Sequence, residues 1–172
     1  MIQDGHIQLI VKQGEIEMNK KLDKNLFEMS YNWTIKTVEK SSGKTLQEEQ
    51  IHNAVVNVGL NLIRDFIGNV SVNPPIYMAV GTGTTAVDNA NTALETEVTR
   101  ALATIDVATD YEVEFTKTFE FAGSYAITEA GMFDSATASG STMFNRTTFA
   151  AKNVTTEIDL IATCTITIAR AA

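Results

Sequence analysis

Cysteine is nearly absent. Cys164 is the only one, so no disulfide can close within the chain and no cysteine cluster can hold a metal. Its surroundings, Ala162-Thr163-Cys164-Thr165-Ile166, alternate like a strand, and the thiol reads as a small buried apolar group. The histidines, His6 and His52, are far apart and in no metal-ligand spacing. Basic blocks are missing as well. Lys+Arg 13 against Asp+Glu 21 gives a net charge of −8, which repels phosphate and argues against nucleic acid as a partner. No apolar run approaches the roughly 20 residues that span a bilayer, so no membrane partner is expected. Met1 to Val11 shows no basic head, sustained apolar core or small-residue cleavage site. The expectation is a chain made in a cytoplasm-like compartment, or one that leaves it without a signal. Internal repeats and low-complexity tracts are also lacking.

What is present is strand pattern. Ile7 to Val11 and Glu15 to Met18 flank Gln13-Gly14 as a small hairpin, and Asn19 to Asn25, with Lys20, Lys21 and Lys24, reads as a solvated loop. From Leu26 to Val38, Phe27, Met29, Tyr31, Trp33 and Ile35 fall on one face, and Glu28, Ser30, Asn32, Thr34 and Lys36 on the other. Period two rich in aromatics means a half-buried strand. Phe27, Tyr31 and Trp33 are the candidates for contact with another subunit. Ser41 to Lys44 turns the chain back into Thr45 to Ile51.

One helix stands out, expected over 53–67. Asn53 is a fair N-cap, and Val55, Val58, Leu62 and Phe66 repeat at helical spacing. Val56, Leu60, Ile63 and Ile67 make a second stripe beside the first, so the helix should be covered on two sides. Gly68 suits the left-handed position past its end. Asn73-Pro74-Pro75 then forces extended chain into the strand Ile76 to Val80. The centre of the sequence follows: the Gly81-Thr82-Gly83 loop, a polar connector, and the charged cluster Glu95, Glu97 and Arg100.

After Arg100 all is β. Tyr111, Val113, Phe115, Phe119 and Phe121 oppose Glu112, Glu114, Thr116, Thr118 and Glu120, and further strands are expected over Tyr125 to Phe133, Thr142 to Phe149 and Glu157 to Ala169. Asp134 to Ser141 is a loop of small residues. The fold class is mainly β, an antiparallel β-sandwich with one packed α-helix and an N-terminal β-hairpin arm. The first 52 residues hold 7 of the 13 basic residues, while 101–172 hold 4 basic and 9 acidic. This shift divides an arm, 1–52, from a core, 53–172, the two making one cooperative unit.

The chemistry-bearing motifs are weak. Gly81-Thr82-Gly83 lacks the lysine and hydroxyl residue that a phosphate loop needs, and Ala86 stands where a dinucleotide fingerprint has its third glycine. A tight turn at a strand exit explains it. Asp88-Asn89-Ala90-Asn91 offers oxygen ligands without the glycine and distal glutamate of a calcium loop. Glu112, Glu114 and Glu120 share a face and suggest a solvated strand, with a glycosidase-like pair as the sharper alternative. Glu129 sits among small and apolar residues, where a carboxylate is costly unless an arginine meets it. The expectation is a pair with Arg100 or Arg146 across strands. No catalytic residue, cofactor or metal is expected.

The order of the motifs resembles a known group. It runs His52-Asn53, Gly59-Leu60-Asn61-Leu62-Ile63, Ala79-Val80-Gly81-Thr82-Gly83, Leu94 with Glu97 and Arg100, Ile127-Thr128-Glu129-Ala130-Gly131-Met132-Phe133, and Met143 with Arg146 and Phe149. A terminal strand of alternating threonine and isoleucine closes it. Over about Thr45 to Ile168 the chain resembles small structural proteins of tailed-bacteriophage particles. Such chains often carry tryptophan in the last strand, where this one has Cys164. The resemblance implies a non-enzymatic virion component, a capsid decoration or a tail, baseplate or fibre-base protein, that packs against itself and neighbouring capsid or tail proteins. An alternative is a module binding host-surface glycan through Tyr111, Tyr125 and Phe144.

Overall fold

The computed structural model describes residues 10–12, 15–17, 27–52, 54–107 and 110–170. Its strands are β1 (Ile10–Lys12), β2 (Glu15–Glu17), β3 (Phe27–Glu39), β4 (Thr45–His52), β5 (Ala54–Val55), β6 (Tyr77–Gly81), β7 (Glu97–Leu102), β8 (Thr104–Asp106), β9 (Glu112–Phe119), β10 (Tyr125–Phe133), β11 (Met143–Val154) and β12 (Ile158–Arg170), with one helix, α1 (Asn57–Ile67). β1 and β2 pair antiparallel as a two-stranded sheet of their own. The expected lysine loop, Asn19 to Asn25, lies outside the described residues, as do His6 and Asn53. No helix among the described residues is long and apolar enough to cross a membrane.

The main unit, Met29–Ile168, is an antiparallel β-sandwich. One five-stranded sheet runs β5-β11-β10-β6-β7 and the other β4-β3-β12-β9-β8. The chain steps between sheets at both margins, from β4 into β5 and from β7 through the buried Ala103 into β8. Strands that switch sheets in this way make the corners of a sandwich. β3 and β4 are therefore part of the sandwich, and the division between compact units falls at Glu28/Met29, not near residue 52.

The alternation of β3 explains why. Tyr31, Trp33, Ile35 and Thr37 are buried and the residues between them half-buried, so one edge of the pleat faces the core. Trp33 and Tyr31 join Met78, Val80, Ala130, Met132, Phe144, Phe115, Leu160, Ala162 and Cys164 in a single apolar cluster. Each such large side chain contributes roughly 1.5–3 kcal/mol on burial. The two aromatics expected at an intersubunit contact are thus spent inside this chain; the side chain of Phe27 lies outside what is described. Two polar groups cross the sandwich. Asn145 on β11, fully buried, donates from Nδ2 to Cys164 Sγ on β12 at 3.7 Å, and Lys152 on β11 pairs with Glu49 on β4.

The helix departs from expectation in three ways. It starts at Asn57, capped by the backbone of Val56 with no side-chain bond, because Ala54 and Val55 instead pair with Arg146 and Asn145 as β5. At its end Gly68 has φ −75, and the left-handed residue is Asn69 at φ 54. Val70 N–H then donates to Asp65 O at 2.9 Å and Asn69 N–H to Phe66 O at 3.2 Å, a Schellman closure in which asparagine does the work of glycine. Finally, only one side of the helix is covered. Gly59 and Leu62 are buried, whereas Leu60, Phe66 and Ile67 are exposed.

Candidate functional site

The residues with the most chemistry gather on the face of β11-β10-β6-β7 turned away from the second sheet. Residues opposite one another in a ladder share a face. Arg100 opposes Ala79, Ala79 opposes Gly131, and Gly131 opposes Arg146, which sets a row with two arginines at its ends and two of the smallest residues between. The neighbouring row is Glu97, Gly81 and Glu129. Small residues at 79, 81 and 131 leave room above the sheet, and Leu94, Phe133, Met143, Val56 and Ala79 fill part of it as a second apolar cluster.

Glu129 is fully buried on β10. Its partner is Arg146 on β11: Nε donates to Oε2 at 3.0 Å and Nη2 lies 2.9 Å from the same oxygen. Three backbone N–H groups complete the shell. Gly83 donates to Oε1 at 3.0 Å, Thr96 to Oε1 at 2.8 Å and Glu95 to Oε2 at 3.0 Å. A buried carboxylate is tolerable only with such full satisfaction. The Gly-Thr-Gly loop is thus an anion cradle whose anion belongs to the protein itself. Its glycines are forced by proximity: a Cβ on Gly81 or Gly83 would sit 2.6 or 2.5 Å from Glu129 Oε1. Thr128 ties the loop a second time, its hydroxyl donating to Gly83 O at 2.8 Å.

Arg146 spans to the polar connector as well. Its Nη1 donates to Asn91 Oδ1 at 3.1 Å and Ala86 O at 3.4 Å, and its Nη2 lies 4.0 Å from Glu95 Oε2. Asn91 Oδ1 also accepts from Asp88 N–H at 2.9 Å, and Asp88 Oδ1 accepts from Ala90 N–H at 2.7 Å. The Asp88 to Asn91 turn is therefore organised around a guanidinium. Glu95, at the rim, accepts from Thr85 N–H at 2.8 Å. The Thr85 hydrogen bonds hold its carboxyl below the usual range, with smaller help from Arg146.

Arg100 does not meet Glu129. It forks onto Glu97 within its own strand, Nε to Oε1 at 3.0 Å and Nη2 to Oε2 at 2.8 Å, with its guanidinium 3.7 Å above the Phe133 ring. Nη1 donates to Ser135 O, Thr137 O and Ser141 Oγ at 3.0, 3.3 and 3.0 Å, pinning the small-residue loop between β10 and β11. Nothing in the sequence signalled that three acceptors of one arginine would lie on a loop over thirty positions away. Its place behind Glu95 and Glu97 in one charged cluster was the only cue.

The other candidates are scattered. Glu112, Glu114 and Glu120 are exposed; Glu112 and Glu114 accept from the threonine hydroxyls of Thr167 and Thr116, and Glu120 faces Lys40. Among the aromatics, Phe144 is buried edge-on to Tyr31, so it cannot stack on a ligand. Tyr125 is exposed, and Tyr111 lies outside β9 at φ 67 with 78% of its surface open. Among the described residues no three His, Cys, Asp or Glu side chains converge as metal ligands. A cleft of about 510 Å³ runs beside α1, floored by Val58, Leu62 and Val72 and rimmed by Asn61, Asp65 and Asp134. Its one arginine, Arg64, is already paired with Asp65 at 2.6 Å. Compared with protein families, with curated proteins and with solved structures, the chain matches none.

Proposed function

We propose that this chain is a non-enzymatic structural subunit of a tailed-phage virion, acting as a capsid decoration or a tail or baseplate protein by packing against copies of itself and neighbouring capsid or tail proteins. The observation that carries this reading is the uncovered stripe of α1. Leu60 and Ile67 lie about two turns apart on the helix and keep 54% and 77% of their surface exposed, and Phe66 and, just past the helix end, Val70 are exposed beside them. A wide apolar arc covered on one side by its own chain suits a protein whose second cover is another molecule. The charged groups support it in a different way. Glu129, Arg146 and Arg100 are consumed in fixing loops, and the motif order described above resembles that of virion proteins. Quantitative mass spectrometry of purified particles, with the chain located by a label, tests the reading. Fixed stoichiometry on the shell or at one end is the expected result, and absence from intact particles overturns it.

A second reading, recognition of host-surface glycan, is favoured by the exposure of Tyr111 and Tyr125. It has lost Phe144 to the core. Binding by the purified chain on a glycan array that is abolished by Tyr111→Ala would move the assignment there.

A further inference from the structure

We draw no further inference here: the strongest candidate, the surface patch at the end of the β4-β3-β12-β9-β8 sheet where Ile105, Val107, Tyr111 and Ile168 stand exposed, carries nothing, since nothing in the structure shows what covers it.

Discussion

Glu129 and Arg146 face each other on adjacent strands, both fully buried, with Arg146 Nη2 2.9 Å from Glu129 Oε2. Replacing such a pair by well-packed apolar residues can be neutral, but removing one partner leaves a buried charge uncompensated and costs about 3–5 kcal/mol. Here an apolar double replacement would also orphan the N–H groups of Gly83, Glu95 and Thr96, so it should not rescue stability. Glu129→Gln should therefore lower stability by about 3 kcal/mol or more in urea unfolding. A double-mutant cycle with Arg146→Met should show coupling above about 1 kcal/mol, and the same cycle with Arg100→Met should show almost none. Equal coupling to both arginines would contradict the separation of the two ion pairs.

Gly83→Ala should destabilise the fold although it lies in a loop. Its Cβ would stand 2.5 Å from both Glu129 Oε1 and Glu95 Cβ, so the loop must lift and release Glu129. The expected loss is about 2 kcal/mol, close to that of a buried acceptor left without a donor. In the Glu129→Gln background the effect should shrink, since the carboxylate it displaces is already gone. Unfolding midpoints of the single and double variants decide it, and an undiminished Gly83→Ala effect would count against the cradle.

The framework was legible because period-two alternation is a local signal. β3, β9, β10 and β12 follow directly from where their aromatic and branched residues fall. β7 was hidden, since Glu97-Val98-Thr99-Arg100 reads as a charged cluster until one knows that both charges lie on a covered face. The helix start was misplaced because Ala54 and Val55 fit a helix as well as a strand; the ladder to Asn145 and Arg146 decides, and that is tertiary information. The need of Glu129 for an arginine could be argued from its apolar neighbours. Which arginine could not, because register sets Gly131 opposite Arg146 and leaves Arg100 two strands away. The three backbone donors, likewise, exist only once the loop has closed.

Arg100→Lys keeps a charge and should still loosen the loop from Asp134 to Thr142. Lysine cannot fork onto Glu97 and reach Ser135, Thr137 and Ser141 together, nor lie flat on Phe133. A stability loss of about 1–2 kcal/mol is expected, with cleavage by a broad-specificity protease appearing first between Ser135 and Ser141. Unchanged cleavage would show that the loop is held by its own turns.

Alkali should weaken the core before it weakens the surface. Burial pushes the Cys164 thiol from its ordinary 9.0 up to about 12, and burial with the neighbouring Cys164 pushes the Tyr31 hydroxyl from 10.0 to about 12. Both folded values are raised, so the unfolded chain releases these protons first. Their contribution is complete below about pH 9 and is lost progressively between pH 9 and 12. Urea midpoints should hold steady up to pH 9 and fall above it, and Cys164→Ala should flatten part of that fall while lowering the midpoint at neutral pH. At pH 8 a thiol reagent should react with Cys164 only as fast as the protein opens.

Gly59→Ala sets two effects of opposite sign against each other. Alanine in a helix interior gains about 1 kcal/mol over glycine. Against this, the new Cβ would sit 2.0 Å from Phe144 O and 2.8 Å from its carbonyl carbon, both backbone atoms of β11 that cannot swing aside. The helix would have to lift from the strand, opening the contact of Leu62 with the core, and overpacking of this kind costs about 1–3 kcal/mol or more. The clash should win, giving a net loss of about 2 kcal/mol with far-UV helical signal unchanged at low denaturant. A higher unfolding midpoint than the parent would mean that α1 does not approach β11 this closely.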